Sequence, residues 1–508
     1  MTGAELWTTV ALVSPLVGAM LSLAPGRLFI LAGLGLGAAG SLVGTVGLWA
    51  EVRAEGVVRH LIGGWGRPLG IELQADGLSM VFLALTAVLG TAVSVYASAY
   101  FQDVAPGWVR NPSGARGARY FAPLTLFAWT GLNGVFLSGD LFNLYVMLEI
   151  VGLSAAALVT LAVTAKATEA GMRYLLVSLS GSMLFLLGVT VLYLEHGTLS
   201  LEQIAAQAPT GAPGATALAI MTVGLAAKTA LFPLHAWLPP AHSAAPAPAS
   251  ALLSALVVKG SFYIIVRLWV DVYGLTVPAS TAEQASVLMG LLGAAAIIWG
   301  SVLAIRQRSL KRLIAYSTVA QLGYLFVMFP LLVPYAQEAT GAVRAASVDA
   351  WNGGIYHALS HGLAKAAMFL AAGNMTHAVS DDAIESIAGV ARRLPMSFLA
   401  FGLAGLSLAG VPPSGGFLAK WLLLDAAFTS GRWGWGIVIA LGGLLTLAYV
   451  LLVARRAFDA TEGPSGFRPV PRRMEWMPAV LALMAVLLGV RAVEILDMLL
   501  VGATGPWG

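Results

Sequence analysis

Long apolar segments alternate with short polar segments along the whole chain. Each apolar segment has about 20 residues, which is the length that an α-helix needs to cross the hydrocarbon core of a bilayer. The pattern predicts an all-α polytopic membrane protein, a single transmembrane domain over 1–508 with about fourteen transmembrane helices. The predicted spans are 6–23, 28–50, 77–100, 119–138, 141–163, 170–194, 215–238, 245–270, 284–305, 310–334, 352–378, 396–428, 433–454 and 475–500.

Two of these spans contain helix breakers at their polar centres. The seventh carries Lys228, Pro233, Pro239 and Pro240, and the twelfth carries Pro412, Pro413, Gly415, Gly416 and Lys420. Proline removes a backbone hydrogen bond and clashes with the preceding turn, and in a bilayer the freed carbonyls need another partner. A kink for packing would explain one break. Two matched breaks, each beside a lysine, favour a transporter built from internal repeats.

The breaks divide the chain into units. Spans 4–8 and 9–13 form two five-helix repeats, each with a broken fourth helix. The N-terminal part, 1–118, then holds spans 1–3, the first repeat covers 119–270, the second covers 284–456, and 457–508 holds a loop and the last span. Within the N-terminal part, alternating apolar and polar residues near 51–76 predict a short extracytoplasmic hairpin.

The basic residues of the loops predict an orientation. With the N-terminus outside, 17 of the 28 Lys and Arg residues lie on inner loops, five lie on outer loops and six lie within spans. Inner loops of membrane proteins are enriched in Lys and Arg. The asymmetry therefore supports an even number of spans, with both termini outside and the protein in the cell membrane.

Composition narrows the possible chemistry. Hydrophobic types make up 58% of the residues and charged types 10%, whereas soluble domains carry about a quarter charged residues. The chain has no cysteine, which excludes disulfides, thiol catalysis, iron–sulfur ligation and cysteine-type zinc sites. No phosphate-binding glycine loop is present. We expect no catalytic residue for covalent chemistry, no cofactor, no resident metal and no nucleic acid partner.

Several charged or titratable side chains fall inside predicted spans. They are Glu149, Lys228, Lys259, His357, His361, Lys365 and Lys420. A charge at the bilayer centre costs about 2.5–3.5 kcal/mol on insertion scales, so such residues mark ion or proton pathways. The spacing of four places His357, His361 and Lys365 on one helix face, where they could pass protons between neighbours.

Other interpretations of these residues remain open at this stage. Lys259 could form a fixed ion pair that holds helices together. His357 and His361 could form a metal pair, although that helix offers no third ligand. Arg267 and Arg491 lie near span ends, and we expect them to reach back to the interface.

Five motifs between about 75 and 430 resemble the antiporter-like subunits shared by respiratory complex I, membrane-bound hydrogenases and Mrp-type Na⁺/H⁺ antiporters. They are GDLFNLYVMLEI, KTALFPLHAWLPPAHSAAPAPASALLSALVVKGSFYIIVR, QRSLKRLIAYSTVAQLGY, YHALSHGLAKAAMFLAAG and LSLAGVPPSGGFLAKWLLL. The stretch GGWGRPLGIELQADGLS and the total length are most similar to the D subunit of the Mrp antiporter.

This resemblance implies a fourteen-helix fold with two inverted five-helix repeats and a proton route across the middle of the membrane. By position, Glu149 matches the family's fifth-helix glutamate, and Lys228 matches the lysine of the broken seventh helix. Lys259 matches the eighth-helix lysine, which is histidine in some members. Lys365 and its two histidines match the eleventh helix, and Lys420 matches the twelfth.

The resemblance also implies partner membrane subunits and a proton-translocating role. Our first hypothesis is the D subunit of an Mrp-type antiporter, which exchanges H⁺ for Na⁺, K⁺ or another monovalent cation. The alternative is a non-redox proton-pumping subunit of an NADH:quinone oxidoreductase-like complex or a membrane-bound hydrogenase, and a related subunit for inorganic carbon uptake is a further possibility. A dehydrated Na⁺ ion prefers carboxylate and carbonyl ligands, so we expect the mostly cationic axis to carry protons.

Overall fold

The computed structural model describes residues 2–66, 70–101, 112–207, 212–272, 278–332, 341–459 and 467–503. Nearly all of these residues are helical. The helices are α1 (Gly3–Ser22), α2 (Arg27–Glu55), α3 (Gly77–Ala99), α4 (Pro112–Leu137), α5 (Leu141–Thr160), α6 (Ala165–His196), α7 (Leu201–Gln207), α8 (Ala212–Thr229), α9 (Leu238–Ala244), α10 (Ala247–Leu252), α11 (Val258–Arg267), α12 (Ala279–Ile305), α13 (Leu310–Leu331), α14 (Ala342–Val379), α15 (Val390–Arg393), α16 (Pro395–Ala409), α17 (Gly415–Thr429), α18 (Trp433–Phe458), α19 (Arg472–Leu487) and α20 (Val493–Leu499). Widened turns, Leu253–Val257 and Leu268–Val272, continue α10 and α11.

Polar caps mark where many helices begin. In each case a side-chain oxygen accepts a hydrogen bond from the backbone N–H three residues on, which satisfies one of the free donors of the first turn. These caps are Thr2, Asp76, Asp140, Thr164, Ser309 and Ser414. They place the short polar segments of the sequence at the ends of the apolar helices.

Eleven helical segments of the described chain are long and apolar enough to cross a membrane, and this makes the protein a multi-pass membrane protein. The remaining predicted spans fall on other helices. The predicted span 352–378 lies inside α14, which has 38 residues. The predicted span 396–428 is split into α16 and α17 at the expected break. The count of fourteen crossings stays a prediction.

The last predicted span, 475–500, is not one continuous helix. Helix α19 ends at Leu487 and α20 begins only at Val493. Tight packing explains the interruption, because a side chain at Gly489 would lie 1.8 Å from the Pro413 carbonyl. The hydroxyl of Tyr356 also donates to the Leu488 carbonyl, so the freed backbone oxygen is bonded without a helix.

One end of the bundle carries the predicted hairpin, and we call this end the hairpin face. Strands β1 (Val58–Leu61) and β2 (Glu72–Ala75) pair antiparallel, which confirms the hairpin. The Gly139 N–H donates to the Glu72 carbonyl, and Gly77 N–H donates to the Val501 carbonyl at 2.8 Å. The C-terminal segment is therefore bound to the hairpin end of the bundle.

Loops from the other end form a second, arginine-rich face. Here Leu310 N–H donates to the Asp382 carbonyl and Ile384 N–H to the Arg308 carbonyl. The Arg456 guanidinium donates to the Glu385 carbonyl at 3.1 Å. Of the basic residues predicted at this end, Arg110 lies outside the described residues, as does the Arg116 side chain.

The central helices are buried and the peripheral ones are exposed. In the most apolar stretch of Ala247–Val272 every residue is buried, and in that of Leu310–Leu331 94% of the residues are buried. In the corresponding stretches of Gly3–Ser22 and Trp433–Phe458 only 33% of the residues are buried. The exposed helices are apolar on their outward faces, as lipid contact requires. The charged residues of the predicted spans concentrate on the central helices.

Glycine allows α12 and α13 to pack with their backbones in contact. A Cβ at Gly293 would lie 2.6 Å from the Gly323 carbonyl oxygen, whereas a Cβ at Gly402 on α16 would meet nothing within 4 Å. We expect Gly293→Ala to destabilise the protein by about 1–3 kcal/mol, because the helices must move apart. Gly402→Ala is the matched control and should leave stability unchanged or raise it. Thermal unfolding in detergent measures both, and equal unfolding temperatures would contradict the packing.

Candidate functional site: a line of buried charged side chains

The seven predicted site residues all lie on central helices. Glu149 is on α5, Lys228 on α8, Lys259 on α11 and Lys420 on α17, while His357, His361 and Lys365 share α14. Six of the seven residues are buried, and the Glu149 side chain is 17% exposed.

Glu149 and Lys228 form an ion pair between α5 and α8. Lys228 Nζ lies 3.2 Å from Glu149 Oε1 and also donates to the Ser178 carbonyl at 3.3 Å. The Ser182 hydroxyl contacts both charged groups. Ser178 and Ser182 are one turn apart on α6, so this helix supplies polar atoms on the face that meets the pair.

Lys259 contacts the second half of the chain rather than a carboxylate. Its Nζ lies 2.9 Å from His361 Nδ1 and donates to the Ser254 carbonyl at 3.4 Å. The lysine is fully buried. The hypothesis of a fixed ion pair at Lys259 is not supported by the described residues, and a lysine–imidazole contact takes its place.

The line continues along α14 to Lys420. The imidazole rings of His361 and His357 lie 6.0 Å apart, and the His357 ring lies 5.0 Å from the ring of Tyr324. Lys420 Nζ lies over the same tyrosine, 4.3 Å from the Tyr324 ring centroid. An ammonium over an aromatic face is stabilised by the ring quadrupole. Tyr324 therefore joins the histidines to Lys420.

Lys365 lies one turn beyond His361. Its Nζ donates to the Ile314 carbonyl at 3.1 Å and to the Ser317 hydroxyl on α13. His357 is held by α13 as well, because its Nε2 lies 3.1 Å from the Gln321 carbonyl. This contact orients the ring, and the described residues bring no group of three His, Asp or Glu side chains together that could hold a metal ion.

The broken helices supply the polar backbone atoms that the site uses. Helix α16 ends at Ala409, and Lys420 donates to the Leu408 carbonyl at 2.7 Å. Helix α8 ends at Thr229, and Trp237 Nε1 donates to the freed Ala227 carbonyl at 2.9 Å. Of the predicted break residues, Pro233, Pro412 and Pro413 lie between helices, whereas Pro239 and Pro240 lie in the first turn of α9 and Gly415 and Gly416 in the first turn of α17. The ends of the broken helices are bonded inside the protein.

Only one of the four lysines in the line has a carboxylate partner in the part of the chain that the structure describes. Among the described residues Glu149 lies within 4 Å of Lys228, whereas Lys259, Lys365 and Lys420 contact carbonyls, hydroxyls, imidazole or an aromatic ring. An ammonium taken out of water costs several kcal/mol unless it is fully compensated. Positive charges on neighbouring members of the line would also repel one another.

Sequence reasoning missed several residues of the site. Ser182, Ser317 and Tyr324 carry no charge, and the helical period alone gives no sign that they face the lysines. Arg267 was expected to reach the interface, and this is wrong. It is buried, and its Nη2 lies 2.5 Å from Asp76 Oδ1. The N-cap pattern of α3 could have identified Asp76 but not its partner.

Removing the Tyr324 ring is expected to slow transport. Tyr324→Leu loses the contact with Lys420, which is worth about 1 kcal/mol or about fivefold in rate. Tyr324→Phe keeps the ring and loses only the hydroxyl, which donates to the Ile439 carbonyl at 3.3 Å. We expect near-normal transport in the Phe variant, measured as proton flux in vesicles. Equal loss in both variants would assign the effect to the hydroxyl.

Comparison with known proteins now identifies the family. The family model "NADH:quinone oxidoreductase/Mrp antiporter, TM" matches residues 138–446. The chain belongs to this family. The match covers both broken helices and all seven site residues.

Relatives in this family come from two kinds of complex. The chain is 34% identical over 446 residues to the N subunit of NADH-quinone oxidoreductase from Desulforudis audaxviator, covering 86% of this chain and 83% of the relative. It is 29% identical over 428 residues to the D subunit of the Na⁺/H⁺ antiporter from Alkalihalophilus pseudofirmus, covering 84% and 80%. The chain is thus an antiporter-like subunit.

Solved structures show the same fold. A chain of the Mrp complex from Dietzia sp. DQ12-45-1b superposes with a TM-score of 0.83 at 24% identity, covering 97% of this chain and 96% of that chain. A chain of the archaeal membrane-bound sulfane sulfur reductase gives 0.84 at 25% identity, covering 98% and 96%. Both belong to multi-subunit membrane complexes.

Proposed function

We propose that this chain translocates protons through the line Glu149, Lys228, Lys259, His361, His357 and Lys420, with Lys365 one turn from His361 on the same helix. The observation that carries the proposal is the contact of 2.9 Å between Lys259 Nζ and His361 Nδ1. It joins a lysine of the first predicted repeat to a histidine of the second. With the Glu149–Lys228 pair at one end and Lys420 at the other, the line runs across the middle of the bundle.

Several contacts in the line suit proton transfer. A lysine and an imidazole at hydrogen-bond distance share one proton between two nitrogens, and histidine changes charge readily near neutral pH. The hydroxyls of Ser182 and Ser317 both donate and accept. Glu149 supplies the negative charge that attracts a proton to Lys228. Lys259 and Lys365 are fully buried, which keeps the two lysines from exchanging protons directly with bulk water.

We infer that the arginine-rich face is the inner side of the cell membrane. The loops at this end hold most of the basic residues outside the spans, which is the distribution found on inner loops. The two termini then lie outside, at the hairpin face. With both termini on one side, the number of crossings is even. We propose fourteen spans with two inverted five-helix repeats, in which α14 is one span and α16 and α17 together form the broken twelfth span.

The D subunit of an Mrp-type antiporter is the first candidate. The supporting observations are the matching motifs and the similarity to the D subunit of a Na⁺/H⁺ antiporter. In this case the chain moves H⁺ while Na⁺, K⁺ or another monovalent cation moves the other way. Because the axis is mostly cationic, the cation would be bound by a partner subunit or at a subunit interface. A Na⁺ ion coordinated by the central axis itself would contradict this assignment.

A proton-pumping subunit of a redox complex is the second candidate. The specific observation in its favour is the identity of 34% to the N subunit of NADH-quinone oxidoreductase, which exceeds the 29% to the D subunit of the antiporter. The chain would then contain no redox centre, and a partner subunit would drive the proton movement.

One experiment separates the candidates. The complex, with its native partner subunits, is reconstituted in sealed vesicles and the lumen pH is followed with a fluorescent dye. A pH change on addition of Na⁺ or K⁺ is expected for cation/proton antiport. A pH change only when electron donor and acceptor are supplied assigns the chain to a redox complex. No pH change under any of these conditions would contradict proton translocation itself.

A further inference from the structure

A cavity opens between the hairpin and the end of α11. It has a volume of about 400 Å³. The charged and polar residues that line it are Arg59, Gln74, Asp76, Ser138, Glu202, Arg267 and Asp271. Arg59 and Glu202 form an ion pair of 2.7 Å in which each side chain is about half exposed, so this part of the lining is open to water.

The deeper wall of the cavity is a network of buried polar groups. Arg267 Nη2 donates to Asp76 at 2.5 Å, and Arg267 Nη1 donates to Asp271 at 3.1 Å. The Tyr263 hydroxyl lies 2.9 Å from Arg267 and 3.1 Å from the Ser79 hydroxyl, which in turn donates to Asp76 at 3.0 Å. Hydrogen bonds therefore connect Tyr263, which is 1% exposed, to the cavity.

This network lies directly in line with the central axis. Lys259, Tyr263, Arg267 and Asp271 follow one another at intervals of four residues along α11 and its widened last turn. Residues at this spacing are neighbours on one helix face. Eight residues of helix rise about 12 Å, so Arg267 stands about 12 Å from Lys259 towards the hairpin face.

We propose that this cavity is the port through which the central axis exchanges protons with water at the hairpin face, and that the Asp76–Arg267 pair is its gate. The proposal rests on the function proposed above. For transfer, Lys259 Nζ turns from the Ser254 carbonyl and His361 towards Tyr263, one turn along α11. The Tyr263 oxygen accepts its proton, while the hydroxyl proton of Tyr263 leaves through Ser79 to Asp76. The Asp76 carboxylic acid then gives its proton to water in the cavity, and Arg267 stays protonated throughout.

The gate is closed in this structure. The Tyr263 hydroxyl donates to the Phe136 carbonyl at 2.8 Å, so its proton points away from Ser79. Arg267 Nε and Nη2 both donate hydrogen bonds to the Tyr263 oxygen. These bonds use the lone pair that would accept a proton from Lys259. A fixed arginine at the mouth of a pore is also an electrostatic barrier to protons. Opening requires Arg267 to release Tyr263, and Asp271, which already accepts from Arg267 Nη1, can hold the guanidinium when it does.

The absence of cysteine makes the port directly testable, because the wild-type chain sets a zero background for thiol labelling of this protein. Ala205 lines the cavity, and Ala205→Cys places one thiol there. Thr429→Cys is the matched control, since Thr429 is exposed at the end of α17 and does not line the cavity. The probe is a negatively charged, membrane-impermeant methanethiosulfonate, applied to the complete complex in sealed vesicles from each side in turn.

Labelling of Ala205→Cys from the hairpin side is expected to lower proton flux by about fivefold or more, because the cavity is filled and its charge changed. The complex with labelled Thr429→Cys should keep its proton flux. Full modification of Ala205→Cys with unchanged flux would overturn the port, and so would reaction only from the arginine-rich side or no reaction at all. An unlabelled wild-type complex without flux would instead contradict the proposed function.

A second variant tests the gate. Arg267→Gln removes the guanidinium that occupies the Tyr263 oxygen and the fixed positive charge of the gate, while Tyr263, Ser79 and the Asp76 carboxylate stay in place to carry the proton. We expect the passive proton leak of the complex to rise by about twofold or more. A leak equal to that of the wild type, in a complex that still assembles, would overturn the gate.

Discussion

Replacing Lys259 with methionine is expected to reduce proton flux by about tenfold or more, which corresponds to about 1.4 kcal/mol in the barrier. Methionine fills a similar volume but holds no proton. The substitution removes the contact of 2.9 Å with His361, which is the contact that joins the two halves of the line. It also leaves His361 Nδ1 without this buried partner, at a cost of about 1–3 kcal/mol. Flux is measured with a pH-sensitive dye in vesicles that contain the complete complex.

Lys259→His is the control for this prediction. Histidine is found at the matching position in some members of the family that the motifs resemble, and it restores a titratable group. We expect this variant to transport clearly faster than Lys259→Met, although both disturb packing to a similar extent. Wild-type flux in the Met variant would show that protons bypass Lys259. Complexes that fail to assemble with either residue would assign Lys259 a structural role.

Glu149→Gln is expected to slow proton flux by about tenfold or more. Glutamine keeps the size and hydrogen bonding of glutamate but leaves Lys228 with no described carboxylate within 4 Å. Breaking one partner of a buried ion pair costs about 3–5 kcal/mol when the other charge stays unpaired. The protonated form of Lys228 is therefore disfavoured, and the line takes up protons more slowly. Flux and assembly are measured on the same preparation.

Two further variants separate charge from packing at this pair. Ser182→Ala removes the hydroxyl that contacts both groups but keeps both charges, so its flux should fall less than that of Glu149→Gln. Combining Glu149→Gln with Lys228→Met should do no more harm to stability than Glu149→Gln alone, because no unpaired charge remains. Additive losses in the double variant would contradict the direct pairing.

The sequence was sufficient to place the line of charges because lipid makes intramembrane lysines expensive. Each of the seven residues was predicted from its place in an apolar span, and the structure brings Lys259 and His361 into contact although they lie 102 positions apart. The breaks beside Lys228 and Lys420 were predictable for a similar reason, since proline inside a span leaves backbone groups unbonded.

Other features depend on tertiary contacts that no local pattern encodes. Arg267 lies near the end of its helix, which is where a side chain that reaches the membrane interface is expected. It pairs instead with Asp76 inside the protein, and Asp76 is 191 positions away in the sequence. The chain also breaks between Leu487 and Val493, where hydropathy predicts a continuous span. There Gly489 packs against the Pro413 loop, and this contact decides the backbone conformation. Tyr324 could not be identified as a site residue from the sequence, because an aromatic side chain in an apolar helix is typical of the packed core.

The most direct test of proton movement along the line removes a lysine from each end of it. The complex with Lys228→Ala and Lys420→Ala is compared with the wild type in sealed vesicles, under the cation or redox conditions that drive the wild-type complex, and the lumen pH is followed after assembly has been checked. We predict a fully assembled complex with no proton flux above that of empty vesicles. Proton flux close to the wild-type rate in the double variant would show that protons cross the membrane by another route.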